Sequence, residues 1–172
     1  MGIAYLSRAS LRTPRSHGFY RFFAWELILG LLLLNLPSWF KDPFSIHQII
    51  SWLLLIVSLV LVQHGVSLLR LIGKPDAQRQ DDGTLLGIEK TSTLVKVGAY
   101  RYIRHPLYSS LLFLAWGAFF KSPSWVEGVL ALAATAFLVA TARVEEAENV
   151  RFFGEAYQTY MQQTKMFIPF VF

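Results

Sequence analysis

Four apolar stretches divide the chain, and they constrain its fold more than any other feature. They cover residues 22–36, 49–72, 107–120 and 125–142. A helix needs about 20 apolar residues to cross the hydrocarbon core of a bilayer. The second stretch is long enough and the fourth is adequate. The first becomes long enough when Phe19, Tyr20 and Trp39 serve as interfacial anchors. The sequence therefore predicts membrane-spanning helices.

The composition agrees with a membrane protein. The 172 residues are 54% hydrophobic and 16% charged, whereas soluble domains carry about 25% charged residues. The third stretch is short, so three spans plus a re-entrant segment remains an alternative to four spans. We expect an all-α, polytopic integral membrane protein with about four transmembrane helices. One domain would cover residues 1–172, with an arm and two spans in 1–73 and a catalytic half, including a folded cytoplasmic cap, in 74–172.

The distribution of basic residues predicts an orientation. Of the 16 Lys and Arg residues, 14 lie in the amino-terminal arm, in the loop 73–104 with its flanks, or after the fourth stretch. The opposite loops hold only Lys41 and Lys121. Since cytoplasmic loops of membrane proteins are enriched in Lys and Arg, we expect a bacterial inner-membrane protein with both termini in the cytoplasm. The net charge of +5 then reflects orientation, and we expect no nucleic-acid partner.

Metal chemistry and thiol chemistry find no support in the sequence. There is no cysteine, and the four histidines show no metal-ligand spacing. We therefore expect no metal.

A cationic cluster precedes the third stretch. Arg101, Arg104 and His105 lie directly before Pro106, and proline is favoured in the first turn of a helix. Free N–H groups and the helix dipole attract anions to such an end. The alternative is that these arginines only anchor the chain to the cytoplasmic face, and that nearby tyrosines form an aromatic belt.

An acidic cluster follows the fourth stretch. Counted from Pro123 in the connecting turn, Pro106 lies 17 residues back and Glu145 lies 22 residues on, which correspond to rises of roughly 26 and 33 Å. The cationic and acidic clusters should therefore meet at one membrane edge, where they suit a zwitterionic ligand. A stripe of small residues, Ala133, Ala136 and Ala140, suggests a close helix contact. A regular helix would point the glutamates away from this stripe, so either the stripe packs on another span or the helix bends near Arg143. Taken alone, the glutamates also fit a solvated helix face.

Residues 92–172 resemble the isoprenylcysteine carboxyl methyltransferase and phospholipid methyltransferase superfamily. The resemblance rests on the order and spacing of a set of motifs. The matching residues are Gly98, Tyr100, Arg101, Tyr102, Arg104, His105, Pro106, Tyr108, Gly117, Glu145, Glu146, Phe153, Gly154, Tyr157, Tyr160, Ile168 and Pro169.

This resemblance implies a membrane methyltransferase that uses S-adenosyl-L-methionine. His105, the helix that begins at Pro106 and an arginine would hold the methionine carboxylate. Glu145 or Glu146 would hold the ribose hydroxyls or the amino group. The adenine would lie in an apolar and aromatic pocket, which is expected to include Tyr100, Tyr108, Leu94, Phe153 or Ile168.

The implied acceptor is a lipophilic small molecule or prenylated substrate that reaches the site from the membrane lipids. Arg143 or Arg104 would orient an anionic acceptor such as an isoprenylcysteine carboxylate, and a glutamate would accept the proton of an amine. Three alternatives stay open: a phospholipid N-methyltransferase, an NADPH-dependent enzyme resembling sterol reductases, and a membrane protein that keeps the fold without activity.

Overall fold

A computed structural model describes residues 16–73 and 93–171, and these ranges are helical apart from loops and one isolated β-bridge. The helices are α1 (His17–Leu34), α2 (Ile46–Ile72), α3 (Pro106–Phe119), α4 (Trp125–Phe153) and α5 (Glu155–Gln163). Two 3₁₀ turns cover Leu36–Ser38 and Gly98–Arg101. The predicted all-α class is confirmed. The predicted amino-terminal arm (1–15) and most of the predicted cap (74–92) lie outside the described residues.

Three of the helices, α1, α2 and α4, are long and apolar enough to cross a membrane. The fourth apolar helix, α3, has 14 residues and is therefore roughly 21 Å long, which is shorter than a hydrocarbon core of about 30 Å. The polytopic prediction thus corresponds to three candidate spans and one shorter apolar helix.

Helix α2 has polar and small residues inside and apolar residues outside. Its buried residues are Gln48, Ser51, Ser58 and Gly65, whereas many of its leucines, isoleucines and valines are exposed. Ser51 Oγ donates a hydrogen bond to the Gly117 carbonyl over 2.6 Å, and Ser58 Oγ donates to the Ser110 carbonyl over 2.7 Å. A helix of a water-soluble protein has the opposite arrangement, with apolar residues inside and polar residues outside. The outer face of α2 suits lipid.

The helices pair across the chain more than along it. Helix α1 packs mainly on α4 and α2 mainly on α3, while the sequence neighbours α3 and α4 contact each other less extensively. Small residues allow these approaches: Ala131 and Ala134 of α4 are fully buried in a cluster with Ile28 and Leu31 of α1.

The predicted contact stripe on α4 was wrong. Ala136 is exposed, and Ala133 and Ala140 are half-buried. The buried positions are 127, 131, 134, 138, 141, 142 and 146, so the packed face runs directly into Glu146. This face is buried because α1 packs on it. The contact reaches the glutamates because His17, at the start of α1, lies beside Glu148.

Helix α4 runs without a break through the predicted end of the fourth span at residue 142. Its 29 residues extend over roughly 43 Å. A hydrocarbon core takes up about 30 Å of this length, so about the last two and a half turns would extend beyond it. Glu145, Glu146 and Glu148 lie on these turns and are therefore placed at a membrane edge.

Candidate functional site

The chain turns sharply into α3, and this turn presents the cationic residues. His105 is the residue before the helix and Pro106 is its first residue. The preceding 3₁₀ turn begins at Gly98, whose φ of 58° is in the left-handed region. A Cβ at this position would meet the ends of the His64 and Leu68 side chains of α2. Glycine is therefore favoured here by the backbone conformation, and any larger residue would also have to displace these two side chains.

Glu146 is the centre of a buried ion-pair cluster. Arg104 Nε donates to Glu146 Oε1 over 2.6 Å, and the two side chains are 10% and 9% exposed. His105 Nε2 lies 3.3 Å from the same oxygen. Two basic side chains of the α3 entry therefore converge on one carboxylate of α4. Arg104 is used structurally, since its guanidinium also donates to the carbonyls of Met161 and Thr164.

Glu145 is the more accessible of the two carboxylates. Tyr108 donates its hydroxyl hydrogen to Glu145 Oε2 over 2.5 Å, and His105 Nδ1 lies 3.9 Å from Glu145 Oε1. The Glu145 side chain is 19% exposed. The rings of His105 and Tyr108 stack with centroids 5.4 Å apart. His105 therefore lies between the two carboxylates, and Tyr108 orients the one that a ligand is able to reach.

Residues 164–168, which we call the C-terminal strap, close one side of the cluster. Ile103 and Lys165 form a parallel β-bridge. The strap carbonyls of Lys165 and Met166 accept hydrogen bonds from the backbone N–H groups of Arg104 and His105 over 2.8 and 3.2 Å. The strap thereby pairs the backbone donors of the two residues that lead into α3.

Helix α5 carries two buried tyrosines, one of which binds the 3₁₀ turn that precedes α3. Tyr160 donates its hydroxyl hydrogen to the Tyr100 carbonyl over 2.6 Å. Burial raises the pKa of both Tyr157 and Tyr160, and the negative charge of Glu145 raises that of Tyr157 further. Both phenols therefore stay protonated, and Tyr160 remains a hydrogen-bond donor.

The structure brings most of the predicted site residues together. Arg104, His105, Tyr108, Glu145 and Glu146 form one connected cluster, as the residue count along the hairpin predicts. Their roles towards a ligand stay predictions.

Four other predicted site residues lie around or outside this cluster. Pro106 is buried in the first turn of α3, and Tyr100 is buried in the 3₁₀ turn. Leu94 is half-buried in the irregular segment before that turn. Arg143 is exposed and, within residues 16–73 and 93–171, forms no ion pair.

The amino-terminal end of α1 adds a pair that the sequence did not reveal. His17, fully buried, lies with Nδ1 2.6 Å from Glu148 Oε2. Glu148 is one turn beyond Glu145 on α4. Sequence spacing gave no signal for this pair, because it depends on α1 packing against α4. The only indication was that α1 begins at the membrane edge to which the glutamates also belong.

Known proteins similar to this chain are methyltransferases. The chain is 36% identical over 72 residues to the methanethiol S-methyltransferase of a Pseudomonas species, and this match covers 41% of the chain and 26% of that protein. It is 29% identical over 122 residues to methanethiol S-methyltransferase 1 of Bradyrhizobium diazoefficiens, covering 69% of the chain and 39% of that protein. The matches thus span about a quarter to two fifths of these relatives. No solved structure matches the chain significantly.

The phospholipid methyltransferase family model matches residues 46–156. This range runs from the start of α2 to the first turn of α5, and it includes Arg104, His105, Glu145 and Glu146. More than half of the sequence is covered, together with the entire ion-pair cluster. The chain belongs to the phospholipid methyltransferase family.

Proposed function

We propose that this protein is an integral membrane methyltransferase that transfers the methyl group of S-adenosyl-L-methionine to a lipophilic acceptor. The observation that carries the proposal is the pair of adjacent carboxylates on α4. Glu146 is buried against Arg104 and His105, whereas Glu145 is accessible and oriented by Tyr108. Family membership supports the reaction type.

The donor set of this cluster fits S-adenosyl-L-methionine. The molecule combines a carboxylate with an ammonium group, ribose hydroxyls and a sulfonium. The accessible Glu145 oxygens suit hydroxyl or ammonium donors, while His105 and the first N–H groups of α3 suit a carboxylate. The aromatic rings of His105, Tyr108 and Phe167 lie against one another beside them, and such surfaces suit a planar base.

The residues of this chain would act by positioning and by excluding water. The bound cofactor supplies an electrophilic methyl group on a sulfonium. Glu146 would hold the His105 ring in place, and Tyr108 would hold the Glu145 carboxylate in place. The ligand would then bind to side chains whose orientation is already set. The C-terminal strap would shield the cluster from water on one side. Methylation of a thiol or an amine releases a proton, and Glu145 is the accessible carboxylate placed to accept it.

The acceptor we propose is a molecule that partitions into the membrane. The cluster lies where α4 leaves the hydrocarbon core, and the outer faces of α1, α2 and α4 are apolar. A small thiol like the one in the relatives' names and a lipid both reach such an edge from the bilayer.

Calorimetry on the protein in detergent tests cofactor binding. We expect wild type to bind S-adenosyl-L-methionine and Glu145→Gln to bind at least tenfold more weakly, because a charged hydrogen-bond acceptor is lost. Glu155→Gln is the matched control, since Glu155 is exposed on α5. No binding by wild type, or equal binding by both variants, would refute the proposed site.

Methyl-labelled cofactor then identifies the acceptor. Membranes containing the protein are supplied with methanethiol in one arm and with bacterial lipid extract in the other. Label in dimethyl sulfide would indicate a thiol acceptor, and label in the lipid fraction would indicate a lipid. If the protein binds the cofactor but labels neither class, the proposed acceptor is wrong while the proposed cofactor site stands.

A further inference from the structure

A second buried polar cluster lies at the opposite end of the helices. Its centre is Lys121, which follows α3 and is 16 residues beyond His105, or roughly 24 Å along a helix. The side chain is only 1% exposed. Lys121 Nζ lies 3.0 Å from Gln48 Oε1, 3.6 Å from the centroid of the Trp52 ring and 5.2 Å from that of Trp39.

The positive charge of Lys121 is not neutralised by its neighbours. In the part of the chain that the structure describes, no carboxylate lies within ion-pair distance of Nζ. Gln48 is neutral, and its amide nitrogen is held by the carbonyls of Ser38 and Lys121. Loss of hydration on burial lowers the pKa of Lys121. A buried ammonium without a counter-charge is costly, and an anion beside it would offset that cost.

A cavity of about 300 Å³ is lined in part by Lys121. Lys41, His47 and Lys121 contribute three basic side chains to its lining, against one acidic side chain from Asp42. Ser38, Gln48 and Ser122 add hydrogen-bonding groups. The cavity also faces the first turn of α2, a 27-residue helix whose first N–H groups have no intrahelical partner and carry the positive end of the dipole. Its size and charge suit a phosphate group.

The position of the cavity corresponds to the headgroup level of a bilayer. Phe40, Phe44 and Trp125 are 75%, 90% and 93% exposed around it, and exposed aromatic residues of this kind mark a membrane–water interface. Lipid phosphates lie at that depth. The exposed apolar face of α2, including Ile49 and Leu53, begins directly below the cavity and suits acyl chains.

We propose that this cavity, with Lys121, Lys41 and the start of α2, binds a phosphate group, supplied either by a phospholipid headgroup or by free phosphate. The site is about one helix length away from the Arg104–Glu146 cluster and does not depend on the proposed methyl transfer. The ligand there would hold α2 and the α3–α4 turn together, since Gln48 belongs to one and Lys121 to the other.

Titration of the full chain in a maltoside detergent tests the proposal. One arm receives inorganic phosphate and the other a short-chain phosphatidylglycerol, with binding followed by the shift in Tm. We expect stabilisation in at least one arm, and at least tenfold weaker binding by Lys121→Met, because a buried charged partner is removed. Lys41→Gln should weaken binding less, since Lys41 is exposed.

The outcomes separate the two sources of phosphate. Stabilisation by the lipid alone assigns the site to a headgroup, and stabilisation by inorganic phosphate shows that the phosphate group suffices. Arg151→Met, which replaces an exposed basic residue at the other end of the helices, is the control and should bind like wild type. No stabilisation of wild type in either arm overturns the proposal. Unchanged affinity of both Lys121→Met and Lys41→Gln would also overturn it. If Lys121→Met does not fold, unchanged affinity of Lys41→Gln is sufficient to overturn it.

Discussion

Arg104 and Glu146 show how single residues connect distant parts of this chain. Arg104 precedes α3, Glu146 lies on α4, and the Arg104 guanidinium also binds two carbonyls near the C-terminal strap. The sequence predicted that these residues meet, because both lie at countable distances from the α3–α4 turn. It did not predict that the Arg104 guanidinium also binds carbonyls, since those acceptors lie near the end of α5 and at the start of the strap, about 60 residues along the chain.

Removal of the Arg104 side-chain charge should destabilise the protein strongly. Arg104→Met leaves the buried Glu146 carboxylate without its closest partner, and breaking one half of a buried pair costs about 3 to 5 kcal/mol of unfolding free energy. Thermal unfolding in detergent measures the effect. Arg143→Met is the control, because Arg143 is exposed and should change stability by about 0.5 kcal/mol at most. Equal losses in the two variants would argue against a structural role for Arg104.

Buried tyrosines should make the protein sensitive to alkali. In an unfolded chain tyrosine ionises near pH 10, whereas burial raises the pKa of Tyr157 and Tyr160 in the folded chain. Their contribution to stability is therefore complete below pH 10 and is lost as the pH rises, by about 1.4 kcal/mol per pH unit and tyrosine. Unfolding of wild type and Tyr160→Phe between pH 9 and 11 should give a shallower decline for the variant. Identical slopes would contradict the assignment.

At the scale of elements, small residues decide which helices meet. Ser51 and Ser58 of α2 bind carbonyls of α3, and Gly117 of α3 lies against α2. The sequence predicted the apolar stretches and a tight antiparallel hairpin of the third and fourth, but it did not predict that α3 packs more extensively on α2 than on α4, because small residues occur on several faces. The alanine stripe was assigned to the wrong face for the same reason.

Close packing of α2 on α3 predicts different effects for two glycines. A Cβ on Gly117 would lie 2.9 Å from Leu55 Cδ2 and 3.3 Å from the Leu55 backbone nitrogen, whereas a Cβ on Gly30 of α1 would meet nothing within 4 Å. Gly117→Ala should therefore lower the unfolding free energy by about 1 to 3 kcal/mol. Gly30→Ala should leave it nearly unchanged. Thermal unfolding of both variants is the measurement, and an unaffected Gly117→Ala would show that the helices separate at little cost.

At the scale of the whole molecule, the two polar ends differ in character. One end holds the Arg104–Glu146 cluster, with acidic and basic groups paired, and the other holds Lys121 beside tryptophans. The distribution of Lys and Arg predicts that the first end faces the cytoplasm. Orientation is not a property of the fold itself, so it has to be measured in a membrane.

The absence of cysteine from the sequence makes that measurement direct. Ser122→Cys, at the Lys121 end, should react in intact cells with a maleimide that does not cross the inner membrane. Gln158→Cys on α5 should react only after the cells are permeabilised. Both positions are exposed, so burial does not explain a difference. The reverse labelling pattern would invert the proposed orientation.

The C-terminal strap also imposes an order on biosynthesis. Helix α3 can enter the membrane as soon as it emerges from the ribosome, but the backbone N–H groups of Arg104 and His105 find their acceptors only in residues 165 and 166. Helix α1 likewise lacks the partner of His17 until α4 has been synthesised, because that partner is Glu148. Insertion of the helices and completion of the site are thus separate events in time. A nascent chain halted before residue 164 would be membrane-embedded while lacking the closed Arg104–Glu146 cluster.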